Sequence, residues 1–206
     1  GFDEFFGFLT GGHRYFPHEW DLEDETKVKS QSAAYRTKLL RNEERIVEKE
    51  YLTDALSRES VDFIDRNADN PFFIYLAYNA PHGPLQATEK YLKRYSHIKE
   101  KNRRTYAAMV SAVDDGVGNI ISKLKEKGIY KNTIVYFLSD NGGRLRGDSD
   151  NGELRGKKGN LFEGGIRVPF VMQWPREIQG RQIFNKPVIS LDIFATSKAL
   201  TSPLVE

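Results

Sequence analysis

The chain has 206 residues, of which 39% are hydrophobic, enough to build one substantial core or two small ones. Its 31 basic and 29 acidic residues give a formal net charge of +2 and are spread along the whole length, which argues against a nucleic-acid-binding protein. Cysteine is absent, so any metal must be bound by oxygen or imidazole ligands. No apolar run approaches the roughly 20 residues of a membrane helix, and we do not expect the chain to span a bilayer.

The first 50 residues are predicted to be mostly irregular. The opening stretch GFDEFFGFLTGGHRYFPHEW is rich in aromatic residues and glycine, and Pro17 prevents a regular helix through its middle. Residues 22–50 are charged and mostly polar, which is typical of a solvated excursion with short strands or turns. Because the sequence opens without an initiator Met or a signal-peptide pattern, we expect it to be part of a longer protein.

Helix and strand patterns alternate from residue 51 onward. YLTDALSRESVDFIDRN predicts a helix capped by Thr53 or Asp54, and NPFFIYLAY predicts a strand that is buried on both faces. Apolar residues recur every three or four positions in NRRTYAAMVSAVDDGVGNIISKLKEKGI, which predicts a long helix that stops at Gly128. NTIVYFLSD and VPFVMQWP predict two more buried strands, and SLDIFATSKAL predicts a short helix.

This order of elements predicts an α/β fold with a mostly parallel sheet sandwiched by helices. Ligands of such sheets bind beyond the carboxyl ends of the strands, where the chain leaves each strand for its loop. Two loops occupy that position in the predicted fold, NAPHGP and SDNGG. We therefore expect them to contribute to one site.

The stretch SDNGG delivers Asp140 and Asn141 from the end of a predicted strand into a glycine turn. Carboxylate and amide oxygens are hard ligands of the kind that Ca²⁺ or Mg²⁺ takes, although Ca²⁺ prefers about six to eight of them. Asp and Asn also favour turns that bind nothing. The pattern by itself leaves both alternatives open.

Two further stretches carry groups that suit an anion. In YNAPHGPLQ, flanking prolines fix the direction of His82, which is suited to hydrogen-bonding an anion or protonating a leaving group, or is simply a loop residue. In LRGKKGNLFEGGIRVP, a lysine held by a glycine turn could neutralise a sulfate or phosphate oxygen, and Glu163 could accept hydrogen bonds from backbone N–H groups. Two adjacent lysines in a loop, however, are usually solvated. The cationic residues of this stretch are Arg155, Lys157, Lys158 and Arg167.

Together, a hard-metal turn, a fixed histidine and a lysine in a glycine turn are what attack on a tetrahedral oxyanion ester requires. No Ser or Thr stands next to a base in a strand-to-helix turn, so the residues name no nucleophile. The polar loop that follows SDNGG either tunes specificity or is solvated; its charged residues are Arg144, Arg146, Asp148 and Asp150.

Six stretches of the chain resemble the formylglycine-dependent sulfatases of the alkaline phosphatase superfamily. They are GFDEFFGFLTGG, FFIYLAYNAPHGPLQ, KNRRTYAAMVSAVDDGVGNII, TIVYFLSDNGG, LRGKKGNLFEGGIRVPFVMQWP and SLDIF. They follow the family's order, reach from the first residues nearly to the end, and are most similar to the arylsulfatase B-like branch. The resemblance implies that residues 1–206 are a partial sulfatase catalytic domain.

The resemblance also implies roles for individual residues. Asp140 and Asn141 match the family's pair of Ca²⁺ ligands. His82 matches the histidine that hydrogen-bonds the sulfate or the bridging oxygen, and Lys158, but not Lys157, matches the lysine that contacts the sulfate. His13, in TGGHRYF, lies where family members often shape the substrate pocket.

Several parts of the family pattern are absent from residues 1–206. These are an Asp-Asp pair that completes the metal site, a GKWHLG-like segment, and the C-x-P-S-R or S-x-P-S-R sequence whose Cys or Ser becomes formylglycine. We therefore expect the chain to correspond to the second half of the catalytic domain, and the 206 residues alone to be inactive. The small carboxy-terminal domain of the family is also expected to be missing.

The resemblance implies a sulfuric ester hydrolase that acts on a sulfated carbohydrate or an aryl sulfate, with no nucleic-acid or membrane partner. It also implies export, to the periplasm in bacteria or the lysosome in animals. Two alternatives stay open, a non-catalytic module that binds sulfated glycans and a phosphoester hydrolase of the same superfamily. The oligomeric state is not indicated by the sequence.

Overall fold

A computed structural model describes residues 1–145 and 149–201 of the chain, so Arg146 and Asp148 of the polar loop lie outside the described residues. The strands are β1 (Phe6–Gly7), β2 (Leu40–Arg41), β3 (Glu44–Arg45), β4 (Val135–Leu138) and β5 (Phe170–Gln173). The α-helices are α1 (Gln31–Ala34), α2 (Leu52–Asn67), α3 (Glu89–Leu92), α4 (Lys101–Glu126), α5 (Glu163–Ile166) and α6 (Leu191–Thr201). Short 3₁₀ helices lie at Pro17–Glu19, Glu25–Lys27, Lys93–Tyr95 and Tyr130–Asn132.

The two long helices, α2 and α4, pack against each other and form one layer of the molecule. Helix α4 ends as predicted, because Gly128 adopts a positive φ of 74° just beyond it. The predicted caps of α2 are wrong. Tyr51 is the N-cap residue, which places Thr53 and Asp54 inside the helix, and the Asp54 carboxylate accepts a 2.6 Å hydrogen bond from the Tyr91 hydroxyl.

The first 50 residues are mostly irregular, as predicted, but they are tied firmly to the helices. Strands β1, β2 and β3 form a small antiparallel sheet in the order β1-β2-β3. Buried aromatic and aliphatic side chains from this region join residues of α2, α3 and α4 in one core, which includes Tyr15, Trp20, Leu39, Tyr51, Leu52, Tyr91, Ala108, Met109 and Ala112. The polar segment 22–50 is thus anchored to this core by the apolar residues that lie between its charged residues in the sequence.

Strands β4 and β5 form a two-stranded antiparallel sheet, with Val135 opposite Gln173 and Leu138 opposite Phe170. The predicted parallel pairing therefore does not hold between these two strands. In its described residues, the connection 139–169 contains only the single-turn helix α5, whereas the crossover between parallel strands is usually a longer helix.

The segment NPFFIYLAY was predicted as a strand buried on both faces, and that prediction is wrong for the described chain. Phe72, Ile74 and Leu76 are half-buried, whereas Phe73 and Tyr75 are 60% and 74% exposed. Within residues 1–145 and 149–201, this segment pairs with no strand, so nothing covers its second face.

Strands β4 and β5 and the carboxy-terminal region also carry exposed apolar side chains, so the prediction that these two strands are buried is wrong for the described chain. Val171 on β5 and Phe194 on α6 are 58% and 73% exposed. We call the exposed residues Phe73, Tyr75, Phe137, Val171 and Phe194 the open apolar surface. No helix in the described part of the chain is both long and apolar enough to cross a membrane.

Candidate functional site

The turn after β4 presents Asp140 and Asn141 at the end of the strand. The Ser139 N–H donates to the Pro169 carbonyl at 3.2 Å, and the Ser139 hydroxyl donates to the Asn141 carbonyl at 2.9 Å, which shapes the turn. The Asp140 side chain is exposed and Asn141 is half-buried. Neither side chain hydrogen-bonds to any described residue, so both oxygen donors remain available to a ligand.

Glycines allow this turn to pack backbone against backbone with α5 and the lysine-containing loop. The Gly142 N–H donates to the Gly165 carbonyl at 3.0 Å, and a Cβ on Gly142 would lie 1.8 Å from the Gly164 carbonyl oxygen. A Cβ on Gly165 would in turn lie 2.1 Å from the Asn160 carbonyl oxygen. No side chain fits at these contacts, because the neighbouring atoms belong to backbone that cannot rotate away.

Lys158 lies directly beside this turn, as its backbone N–H donates to the Gly143 carbonyl at 3.0 Å. Asn151 reinforces the contact: its Oδ1 accepts the Gly143 N–H at 2.8 Å, and its Nδ2 donates to the carbonyls of Gly143 and Gly156 at 3.2 and 3.1 Å. No sequence motif pointed to Asn151. Its only signal was an amide residue within a glycine-rich stretch.

His82 is held by its backbone and leaves one ring nitrogen open. Its N–H donates to the Asn79 carbonyl at 2.7 Å, and its carbonyl accepts the Tyr15 hydroxyl at 2.8 Å. Burial raises the pKa of Tyr15, which keeps this hydroxyl protonated as a donor. The ring Nδ1 lies 2.7 Å from the Gly83 carbonyl, which can only accept, so Nδ1 carries the proton. The exposed Nε2 has no hydrogen-bond partner among the described residues.

A cavity of about 370 Å³ connects the His82 loop to the segment after SDNGG. The Arg144 guanidinium approaches to 3.7 Å from the position of a Cβ on Gly83. The cavity is lined by Arg14, Ser32, Tyr35, His82, Gly83, Pro84 and Arg144. Tyr35 comes from the polar segment 22–50, which no sequence motif singled out. Its only signal was a lone aromatic residue among polar ones.

The described residues fit a Ca²⁺ site by donor type but do not complete one. Asp140 and Asn141 supply hard oxygen atoms that no neighbour in the described chain uses, which suits this cation. The described parts of the chain contain no group of three or more His, Asp or Glu side chains that could hold a metal. The assignment of Asp140 and Asn141 as metal ligands therefore stays a prediction.

Two residues that the sequence suggested for the site, His13 and Glu163, interact with other protein groups instead. His13 is fully buried, with Nδ1 2.9 Å from the Arg14 carbonyl and Nε2 2.8 Å from the Thr37 carbonyl, so it does not line the cavity. Burial lowers the pKa of His13, opposed by these two carbonyls. Glu163 begins α5, and its carboxylate lies 3.5 Å from the Arg167 guanidinium rather than receiving backbone N–H groups.

Comparison with known proteins identifies the family. The sequence model of the Sulfatase family matches residues 1–202. The chain is 35% identical over 202 residues to the uncharacterized sulfatase YdeN of Escherichia coli K12, covering 96% of this chain and 32% of that protein. It is 37% identical over 156 residues to mouse N-acetylgalactosamine-6-sulfatase, covering 72% of this chain and 29% of that protein.

Solved structures agree in fold. The crystal structure of Ps i-CgsB in complex with k-i-k-neocarrahexaose superposes with a TM-score of 0.92 at 44% identity, covering 100% of this chain and 47% of that one. PsFucS1 sulfatase from Pseudoalteromonas sp. superposes with a TM-score of 0.64 at 32% identity, covering 72% of this chain and 30% of that one. The α/β sulfatase fold class predicted from the sequence is confirmed.

The chain thus spans about a third of the length of these curated relatives and about half of the first solved structure. The boundaries expected for a partial catalytic domain stay a prediction. Because the family match reaches residue 202 and the sequence and structural relatives agree with it, the chain belongs to the sulfatase family.

Proposed function

We propose that this chain is part of a sulfuric ester hydrolase in which Lys158, the Asp140–Asn141 turn and His82 act on one sulfate group. The observation that carries the proposal is the hydrogen bond from the Lys158 N–H to the Gly143 carbonyl. It holds the base of a lysine side chain against the turn that carries two hard oxygen ligands without partners among the described residues. An ammonium group that extends from this point, next to a turn proposed to bind a cation, would suit an oxyanion, which needs positive charge from more than one direction.

Each side chain then has a distinct role. Asp140 and Asn141 would contribute oxygen ligands to Ca²⁺, which supplies positive charge to sulfate oxygens when it is bound. Lys158 would neutralise a further sulfate oxygen. His82 would donate a proton from Nε2 to the leaving oxygen, since its Nδ1–H is held by the Gly83 carbonyl; this role requires a proton on both ring nitrogens.

The attacking group is proposed to be a formylglycine formed outside residues 1–206, since these residues offer no activated nucleophile. We propose a sulfated carbohydrate as substrate, with an aryl sulfate as a smaller surrogate, because a structural relative was solved with an oligosaccharide bound. The proposed site of action is an exported compartment. This placement is supported by the family resemblance alone.

The test uses the protein as its host makes it. Peptide mass spectrometry is expected to find a formylglycine, and an aryl sulfate is expected to be hydrolysed in a manner that depends on Ca²⁺. Lys158→Ala should lower kcat/KM by about 10²–10³-fold, the range typical of losing one preorganised group that stabilises transition-state charge. Lys157→Ala, the adjacent lysine in the same loop, is the matched control and should change kcat/KM by less than about threefold.

Equal losses for the two lysine variants would contradict the role of Lys158. Asp140→Ala should raise the Ca²⁺ concentration needed for half-maximal activity, and an unchanged requirement would contradict its role as a ligand. Absence of formylglycine together with absence of hydrolysis would favour the non-catalytic glycan-binding alternative. Hydrolysis of phosphate esters in preference to sulfate esters would favour the phosphoester hydrolase.

A further inference from the structure

The cavity beside His82 is lined by two arginines that the proposed function does not use. Lys158 and the Asp140–Asn141 turn account for the group that is cleaved in the proposed function, and neither lines this cavity. Two arginines, Arg14 and Arg144, do line it, together with the ring of Tyr35. They come from three separate segments of the chain, so the fold assembles this group.

Arg14 is held in place while keeping donors available. Its Nη1 donates to Glu19 Oε1 at 2.8 Å, and the other Glu19 oxygen accepts from the Gln86 side chain. The remaining guanidinium N–H groups of Arg14 have no partner among the described residues. The arginine side chain is 36% exposed and that of Glu19 is 18% exposed, so the pair lies at the cavity wall. A fixed guanidinium with open N–H groups is suited to an oxyanion.

Tyr35 gives the cavity an aromatic wall, and Gly12 makes room for it. A Cβ on Gly12 would lie 2.8 Å from Tyr35 Cζ and 2.9 Å from its hydroxyl oxygen, so a larger residue at position 12 would displace the end of the tyrosine ring. The Tyr35 and His82 rings are 6.4 Å apart at an angle of 79°. The tyrosine therefore stands next to the histidine that is proposed to meet the leaving oxygen. An aromatic face at that point suits the apolar C–H face of a sugar.

We propose that this cavity is a subsite for an oxyanion, a sulfate or a carboxylate, on the sugar adjacent to the one that is desulfated. Arg14 and Arg144 bind the oxyanion, and Tyr35 packs against the sugar ring that carries it. This inference rests on the proposed function, because it takes His82 as the boundary between the cleaved group and its neighbour. It makes Arg14, Arg144 and Tyr35 specificity-determining residues for a polyanionic chain.

The experiment compares four substrates on the protein as its host makes it. They are an oligosaccharide sulfated on both the cleaved sugar and its neighbour, the same oligosaccharide sulfated on the cleaved sugar only, a version with a uronate as neighbour, and an aryl monosulfate. The variants are Arg14→Gln and Arg144→Gln. The matched control is Arg66→Gln, because Arg66 also pairs with a glutamate, Glu4, at 2.7 Å, but lies at the end of α2 and outside the cavity.

We expect the unaltered protein to prefer the disulfated over the monosulfated oligosaccharide by about tenfold or more in kcat/KM, mainly through KM, as one charge-assisted contact permits. Either cavity variant should reduce this preference to less than about threefold. Hydrolysis of the aryl monosulfate should stay within about twofold, which also shows that the variants are folded. The control should behave as the unaltered protein.

The uronate substrate separates the two sources of the oxyanion. If the oligosaccharides with a sulfated neighbour and with a uronate neighbour are both preferred over the one with an uncharged neighbour, the subsite accepts oxyanions in general. If only one of the two is preferred, the subsite is specific for sulfate or for carboxylate accordingly. The absence of any preference in the unaltered protein, or equal losses on all substrates in the cavity variants, would overturn the subsite.

Failure of the proposed function is distinguishable from failure of the subsite. If no sulfate ester is hydrolysed, calorimetric binding of the disulfated and monosulfated oligosaccharides decides the question. Weaker binding of the disulfated oligosaccharide to the Arg14 and Arg144 variants, with the Arg66 variant unaffected, would support the subsite without the enzyme. Equal binding to all variants would refute it.

Discussion

Replacing Gly142 with alanine tests the backbone packing that joins the Asp140–Asn141 turn to the lysine loop. The new Cβ would lie 1.8 Å from the Gly164 carbonyl oxygen and 2.8 Å from its carbonyl carbon. Both atoms belong to backbone, so relief requires the two segments to separate by at least an ångström. That movement also stretches the 3.0 Å hydrogen bond from the Gly142 N–H to the Gly165 carbonyl.

The expected cost follows from these two contacts. Overpacking costs about 1–3 kcal/mol, and the loss of one backbone hydrogen bond adds about 0.5–1.5 kcal/mol. In the opposite direction, alanine raises the free energy of unfolding by about 0.4–1 kcal/mol, because it restricts the conformations of the unfolded chain. We therefore expect Gly142→Ala to lower the free energy of unfolding by about 2–3 kcal/mol. For a domain of about 150–250 residues this lowers Tm by about 4–12 °C.

Gly118→Ala is the matched control. Gly118 lies on the exposed side of α4, and a Cβ there meets no atom within 4 Å. Alanine in a helix interior should therefore stabilise by about 0.5–1 kcal/mol. Chemical denaturation and thermal melts of both variants, in the protein as its host makes it, provide the comparison. A Gly142→Ala variant as stable as Gly118→Ala would refute the packing argument.

Two further predictions concern pH and the open apolar surface. Burial lowers the pKa of His13, so the unfolded chain, with an ordinary pKa near 6.5, binds a proton first as the pH falls. The free energy of unfolding should then decrease below about pH 6.5 by up to about 1.4 kcal/mol per pH unit, and His13→Gln should flatten this slope. An unchanged slope between pH 5 and 7 in denaturant titrations would count against this role. The isolated 206-residue chain should bind a hydrophobic dye and self-associate, and Phe73→Ser with Val171→Thr should weaken both, because these side chains are 60% and 58% exposed. A sharp two-state melt of a monomer at high concentration would contradict that expectation.

Tertiary contacts made some residues functional candidates that no local pattern identified. Asn151 matters because both atoms of its amide reach the Gly143 backbone, a contact across eight positions in the chain. Tyr35 matters because Gly12 leaves space for its ring next to His82. Neither residue stands in a motif, and a spacing rule reports only neighbours along one element.

Exposure could not be predicted either. Apolar runs such as NPFFIYLAY indicate a strand that can be buried, but the pattern does not say which faces have partners. In the described chain Phe72 contacts Phe63 of α2, whereas Phe73, on the other face, is 60% exposed. Likewise, two apolar runs predict two strands but not their relative direction, and the structure pairs β4 and β5 antiparallel.

The sequence by itself determined what is local. It predicted helix α4 with its end at Gly128, the positions of strands β4 and β5, and the motifs that contain Asp140, Asn141, His82 and Lys158. These features can be read from the sequence because hydrophobic periodicity, helix-terminating glycines and sequence motifs each lie within a short stretch of the chain. The sequence also predicted that the NAPHGP and SDNGG loops contribute to one site, but only the tertiary structure decided which atoms are in contact. The Lys158 N–H meets the Gly143 carbonyl, and Arg144 meets the His82 loop, through contacts between segments far apart in the chain. Such contacts depend on three-dimensional packing, which no spacing along the sequence contains.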